Sequence, residues 1–341
     1  MELRTRRIEV QKLYPLAISR GVMTSSENLF VTLSDGAHEG IGELAPATAS
    51  EWTAARGEAQ LREIHDRLPP NPHYAWAIMR EAEIDPPAMA AYDVALWDLT
   101  ARRAGRPLVE LLGLPRRSVP TSVTIGINSP EITRERVPDI LRRNGARALK
   151  IKLGSPDGRE ADRAHFLAAK EAAAPFAPAL RVDANGGWTP DEAVAMIAWL
   201  AGHGVEYVEQ PLARGQEADL PHVFAGRKLP IYLDESCRWA EDVPALADRC
   251  DGVNLKLMKC GGVTEALRIV AVARAHGLGT MIGCMSESSV AIAAGASIAA
   301  LFDHVDLDSH LNLNPDPADG APIVDGVVLP AERPGHGGRL L

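Results

Sequence analysis

From Thr121 to Ser309 the chain repeats one pattern, a short apolar run followed by an amphipathic segment, at a spacing of roughly twenty to thirty residues. Eight runs read as strands: "TSVTIGI", "ALKIKLG", "ALRVDANGG", "VEYVEQP", "IYLDES", "GVNLKLMKCGG", "GTMIGCM" and "HVDLDS". The stretches between them carry the helical period, and "TPDEAVAMIAWLAGHG" and "VTEALRIVAVARAHG" each end in a glycine suited to a helix C-cap. Eight strand and helix units fit an α/β barrel. An open doubly wound sheet rarely needs eight, and usually carries a Gly-rich phosphate turn after its first strand, which is absent here.

The flanks break this rhythm. The opening segments "RRIEVQKLYPL" and "NLFVTLSDGAHEGIGELAP" alternate in the strand manner, with "SDG" as a turn, and predict a small antiparallel sheet. From about Ser50 to Leu112 the period becomes helical, most clearly in "PPAMAAYDVALWDLTARRAGRPLVELLGL", which opens on a proline pair and closes through Gly105. The final "NLNPDPADGAPIVDGVVLPAERPGHGG" returns to strand and turn character. The expected division is an α+β capping domain over 1–115, the barrel over 116–310, and a C-terminal segment over 311–341 that returns to complete the capping domain.

A net charge of -9 without a run of Lys or Arg gives no electrostatic footprint for nucleic acid or an anionic membrane. A small molecule is the expected partner. The N-terminus "MELRTRRIEV" lacks the apolar core of a secretory signal, and no stretch reaches the length of a membrane span, so a cytoplasmic protein is expected. Cys237, Cys250, Cys260 and Cys284 form no CxxC pair and read as reduced thiols, with Cys284 alone falling beside a strand end.

Chemistry in such a barrel collects at the C-terminal ends of the strands. There the sequence places Lys150 and Lys152 on the second strand, Asp183 on the third, Glu209 on the fourth, Asp234 on the fifth, Lys256 on the sixth, and Asp306 and Asp308 on the eighth. Three carboxylates from successive strands can converge on one hard cation, and Mg²⁺ is the natural choice. Lys152 and Lys256 lie across the barrel mouth with the carboxylates between them, which suits a two-base reaction. One lysine removes a proton from a carbon next to a carboxylate, the cation stabilises the enediolate, and the other lysine returns a proton on the opposite face. Lys150 shares a face with Lys152 and is expected to depress its pKa as a second ammonium.

The runs "LKIKLG", "VDANGGW", "VEQPL", "LDES" and "VNLKLMKCGG", in this order and spacing, resemble the enolase superfamily and within it the muconate lactonizing subgroup. The resemblance extends from "GIGELAP" and "AAYDVALWDLTARRAGRPL" to the C-terminal return. It implies a modified TIM (β/α) barrel under a capping domain, Asp183, Glu209 and Asp234 as Mg²⁺ ligands, Lys152 and Lys256 as the acid/base pair, and Lys150 assisting. A mandelate-racemase-like site would need a His base from the seventh strand, and "GTMIGCM" offers none. Assembly into a homo-oligomer is implied by analogy alone.

Activities in this subgroup include muconate cycloisomerisation, o-succinylbenzoate synthesis, N-succinylamino acid racemisation and dipeptide epimerisation, and the fold cannot separate them. Two carboxylates at Asp306 and Asp308 would repel a dicarboxylate, whereas the α-ammonium of a dipeptide would bind them through charge-assisted hydrogen bonds. The "DLDS" motif also resembles that of dipeptide epimerases. The expected reaction is a 1,1-proton transfer at the α-carbon of the C-terminal residue of an L-Ala-L-Xaa dipeptide. The resemblance implies a mobile loop of the capping module over the site, corresponding to Ala17 to Asn28, where Arg20 could bind the carboxylate of Glu as Xaa, or where Gly21 or Met23 would favour an apolar group. Met285, Ser286 and Glu287 are further lining candidates, and Trp188 is either a cap over the site or ordinary packing.

Overall fold

The computed structural model describes residues 1–48 and 50–341. Its N-terminal sheet is antiparallel, with β1 (Glu2–Ile18) paired to β2 (Gly21–Ser34) and β2 to β3 (Glu39–Leu44). Helices α1 (Ala54–Ile64), α2 (Pro72–Glu81) and α3 (Pro86–Arg103) cover one face of it, and α4 (Leu108–Leu111) follows. Leu29, Val31 and Leu33 alternate inward from β2 and pack with Leu61, Met79 and Leu96 in one buried cluster. Gly40 and Gly42 are needed in β3 because a Cβ on either would overlap the carbonyl oxygens of Ala95 and Ala91 in α3.

The barrel runs in chain order through β4 (Ser122–Ile125), β5 (Ala148–Lys152), β6 (Ala179–Asp183), β7 (Val205–Glu209), β8 (Ile231–Leu233), β9 (Gly252–Lys256), β10 (Gly279–Gly283) and β11 (His304–Val305). Each strand pairs in parallel with its neighbours, and a parallel bridge between Thr121 and Val305 brings the last strand back to the first. Between them lie α5 (Pro130–Asn144), α6 (Arg159–Ala173), α7 (Pro190–Ala201), α8 (Leu220–Ala225), α9 (Val243–Leu246), α10 (Leu257–Cys260), α11 (Val263–Ala275) and α12 (Ser289–Ser297). All eight runs read from the sequence contain a strand. The sixth is shorter than read, because the chain turns into α10 directly after Lys256, and the eighth stops before Asp306.

Alternation along the strands separates two environments. On β5, Leu149 and Ile151 join the apolar layer under the helices, while Lys150 and Lys152 are buried among the acidic groups of the barrel mouth. Deeper inside, Tyr207, Tyr232 and His304 stack with ring centroids 4.7–5.1 Å apart and plug the barrel below the polar residues. The site therefore rests on a packed floor.

After β11 the chain forms β12 (Ala318–Asp319), the small hairpin β13 (Ile323–Val324) and β14 (Val327–Val328), and β15 (Arg339–Leu340), which pairs with β12. This stretch touches the N-terminal module directly. Leu108 N–H donates to Gly335 O at 2.7 Å, and buried His336 N–H donates to Asp98 Oδ1 at 2.8 Å.

Candidate active site

Asp183 ends β6, Glu209 ends β7 directly beside it, and Asp234 follows β8, so three adjacent strands present three buried carboxylates at one end of the barrel. β5 and β9 stand four places apart in the eight-strand ring, which sets Lys152 and Lys256 on opposite sides. Lys152 Nζ donates to Asp183 Oδ2 at 2.6 Å, and Lys256 Nζ pairs with Asp234 Oδ2 at 2.7 Å. Both β5 lysines are buried.

Burial pushes the Glu209 carboxyl up to about 7, and the neighbouring Asp183 pushes it the same way. Asp183 and Asp234 are also penalised by burial, but the lysines beside them win and hold both below the usual carboxylate range. Lys150 carries the second ammonium on β5. Burial lowers its pKa, yet Asp306, Glu209 and Asp183 more than offset this and hold it well above the ordinary value. Its ammonium bonds to Asp306 and, at 3.3 Å, to Glu209, so it ties β5 to the far edge of the site. Lys256 is likewise raised, burial being outweighed by Asp234 and Glu209.

The donor set fits Mg²⁺: three carboxylates, all oxygen, with no sulfur or imidazole among them. Buried acceptor oxygens without a donor gather around it, Asn185 Oδ1, Glu235 Oε2 and Asn254 Oδ1, so the pocket is short of positive partners. As the side chains lie, among the described residues no group of three or more His, Cys, Asp or Glu is arranged to grip an ion.

These residues open onto a cavity of about 450 Å³ roofed by the N-terminal module, with Lys152, Lys256, Leu16, Ile18, Trp52 and Met285 in its lining. An adjoining recess holds Asp306, Asp308, Lys150 and Lys12. Asp306 gives Oδ2 to Lys150 and leaves Oδ1 buried without a partner. Asp308 accepts from Thr124 N–H at 2.7 Å and from Cys284 Sγ at 3.7 Å, and burial followed by Asp306 raises its carboxyl to about 6. The two lie beyond β11, so they share the recess through the turn after the strand and not through strand alternation.

The segment expected as a mobile loop is a β-hairpin. Ile18 pairs with Gly21 and Leu16 with Met23, and only Ser19 and Arg20 form the turn. Arg20 overhangs the cavity, where it donates to Glu235 Oε1 at 2.6 Å and Asn185 O at 2.7 Å. Met285 and Ser286 line the cavity, and Met23 lies against Ser286. Glu287 does not line it; its carboxylate folds back to accept from Met285 N–H at 2.8 Å. Trp188 is packing, buried with Nε1 donating to Asp162 at 2.8 Å.

Three contributors were not read from the sequence. Lys259 donates to Asp234 Oδ1 at 2.6 Å and to Asn254 O at 2.9 Å, from α10. Asn254 Nδ2 holds Glu209 Oε1 at 2.7 Å. Gln210 Oε1 accepts from Asp234 N–H at 2.8 Å and fixes the turn after β8. The only available signal was the three-residue spacing of Lys256 and Lys259, which is legible once α10 is known to be helical.

Comparison with known proteins matches two family profiles: "Mandelate racemase / muconate lactonizing enzyme, N-terminal domain" over residues 1–113 and "Enolase C-terminal domain-like" over residues 133–340. A protein of Roseobacter litoralis named hydrophobic dipeptide epimerase is 57% identical over 342 residues, covering 100% of this chain and 99% of its own. A second protein of that name, from a Flavobacteria bacterium, is 50% identical over 354 residues, covering 100% and 98%. Among solved structures, the dipeptide epimerase of Enterococcus faecalis V583, complexed with Mg and the dipeptide L-Leu-L-Tyr, superposes with a TM-score of 0.90 at 31% identity, covering 99% of this chain and 98% of that one. With both halves matched and relatives of this identity spanning its whole length, the chain belongs to the mandelate racemase / muconate lactonizing enzyme family of the enolase superfamily.

Proposed function

We propose that this protein is a Mg²⁺-dependent dipeptide epimerase acting on hydrophobic dipeptides, an isomerase that inverts the α-carbon of the C-terminal residue by 1,1-proton transfer. One observation carries the reading: buried Lys152 and Lys256 flank three carboxylates from opposite strands, and the recess beside them holds an acceptor, Asp306 Oδ1, that lacks a donor. The relatives' names and the Mg and dipeptide in the Enterococcus faecalis complex support it.

Asp183, Glu209 and Asp234 would hold the ion, which when bound would supply positive charge that makes the α-proton removable. Lys152, as the free amine, takes the α-proton on its Nζ. Lys256, as the ammonium, delivers one to the opposite face, and the reverse reaction exchanges their roles. Asp306 receives the α-ammonium, with Asp308 adding negative charge. Lys150 positions Asp306 and Glu209. The apolar lining from Leu16, Ile18, Trp52 and Met285 suits a hydrophobic second side chain. Four free cysteines suit a reducing cytoplasm, and no helix among the described residues is long and apolar enough to cross a membrane.

The test is α-hydrogen exchange in D₂O with Mg²⁺ and L-Ala-L-Leu or L-Leu-L-Tyr, read by mass spectrometry as a gain of one mass unit. Lys152→Ala and Lys256→Ala should each lower epimerisation by about 10³-fold or more with the fold retained. Near-normal epimerisation in either variant removes the two-base assignment. Turnover of an N-succinylamino acid that survives Asp306→Asn would instead favour another reaction of the subgroup.

A further inference from the structure

Lys12 belongs to β1 of the capping sheet, yet its side chain enters the recess that contains Asp306 and Asp308. It makes no ion pair among the described residues, although Asp308 lies within its field. The acids around it are already engaged. Asp308 is held by Thr124 N–H and Cys284, and Asp306 Oδ2 by Lys150. Its side chain is half-buried, and burial destabilises its ammonium by more than the nearby Cys284 and Asp308 favour it.

The recess thus holds one acceptor without a donor, Asp306 Oδ1, and one lysine that makes no ion pair among the described residues, Lys12. If the α-ammonium of a dipeptide enters, as the proposed function requires, it adds a second positive group to a recess where Asp308 acts on Lys12 only from a distance, leaving Lys12 without a negative group in ion-pair reach. The first residue of the substrate can supply it. In aspartyl and glutamyl dipeptides the side-chain carboxylate is three or four bonds from the α-nitrogen, a span that reaches past an acid too far from Lys12 for an ion pair.

We propose that Lys12 selects the first residue of the dipeptide, favouring Asp or Glu, whose side-chain carboxylate pairs with the Lys12 ammonium while the α-ammonium binds Asp306. The inference rests on the dipeptide epimerase reading and adds to it a charged subsite beside the apolar one that takes the second residue. No bond to the side chain forms or breaks; the contact is recognition only.

The experiment compares kcat/KM for epimerisation of L-Glu-L-Leu, the isosteric L-Gln-L-Leu, L-Lys-L-Leu and L-Ala-L-Leu by the Mg²⁺-loaded enzyme. L-Glu-L-Leu should exceed L-Gln-L-Leu by about tenfold, the worth of one charge-assisted contact, and L-Lys-L-Leu should be the poorest. Lys12→Met should bring the Glu to Gln ratio close to one, and Lys12→Arg should keep most of it. A wild-type ratio at or below one overturns the inference, and so does a Lys12→Met variant in which both substrates fall equally, the mark of a merely structural lysine. If Lys12→Met fails to fold, the wild-type panel and Lys12→Arg decide. Epimerisation of L-Ala-L-Leu separates the two levels: with it present, an absent Glu preference sinks only the Lys12 subsite, whereas exchange with no dipeptide sinks the function beneath it.

Discussion

Asp234 accepts from two ammonium groups at once, Lys256 on one oxygen and Lys259 on the other. Lys259 also bonds to two backbone carbonyls, those of Asp234 and Asn254, so it fastens the turn after β8 to β9 from inside. Removing one partner of a buried pair strands the other, which costs about 3 kcal/mol or more. Lys259→Met should therefore lower the unfolding free energy by about 3 kcal/mol in urea titration, and a loss below about 1 kcal/mol would show that Lys256 alone satisfies Asp234. Gly283 answers a different need. A Cβ there would stand 3.0 Å from Lys256 Cε, so Gly283→Ala should displace the lysine stem and lower kcat more than it raises KM, with unfolding little changed. Stability loss without a kcat effect would contradict this. Of these residues the sequence shows Asp183, Glu209, Asp234, Lys152 and Lys256 readily, because each is a polar residue closing an apolar run. Lys259 is hidden, since its inward direction depends on α10 beginning at the residue after Lys256.

The β1–β2 hairpin is the element that roofs the site, where the family resemblance implied a loop. Gly21, Ser25 and Ser26 are turn formers by composition, but opposite neighbours hold them in the sheet, as in the pairs Ile18 with Gly21, Gln11 with Ser25 and Val10 with Ser26. Pairing across a hairpin is tertiary information that local alternation does not contain. The same holds for Arg20, whose partner Glu235 is 215 residues away. That pair is partly exposed, so its share of stability is small, well under 1 kcal/mol. Its consequence is for binding. Because the guanidinium is already engaged by Glu235 and Asn185, Arg20→Leu should raise KM for hydrophobic dipeptides and for L-Ala-L-Glu alike, by about threefold, through a looser roof. A loss confined to L-Ala-L-Glu would instead identify Arg20 as the receptor for an acidic second side chain.

Across the whole molecule, the N-terminal module and the barrel are joined through buried carboxylates. Glu43 on β3 accepts from Ser288 Oγ at 2.6 Å and Ala291 N–H at 3.2 Å at the start of α12, and from Asn28 Nδ2 at 2.7 Å. Asn28 in turn donates to Ser286 O beside the cavity. Asp93 on α3 binds the Thr264 hydroxyl and N–H at 2.6 and 3.0 Å at the start of α11. Burial is the dominant influence on both and lifts each to about 7, while burial lifts Glu287, next to Ser288, to about 8. Barrel topology is legible from the repeated strand and helix pattern, but this seam is not, because its acids lie in "GIGEL" and "AAYDVAL" with no local mark that they will be buried against another module. The seam fixes the sign of a pH effect. In the unfolded chain these carboxyls release their protons near pH 4, whereas the folded protein keeps them to pH 7 or 8, so between these limits the native state binds more protons and stability falls as pH rises. Their contribution is complete below about pH 4 and lost above about pH 8. Urea unfolding at saturating Mg²⁺ should therefore give a free energy that declines between pH 5 and pH 8, each group accounting for at most roughly 4 kcal/mol. Glu43→Gln should flatten the slope by removing one proton from the balance, at the cost of setting an amide N–H₂ against donors that now meet a carboxylate. A stability that rises over this window, or a slope unchanged in Glu43→Gln, would mean that the helix-end hydrogen bonds hold Glu43 ionised throughout, with burial the weaker effect.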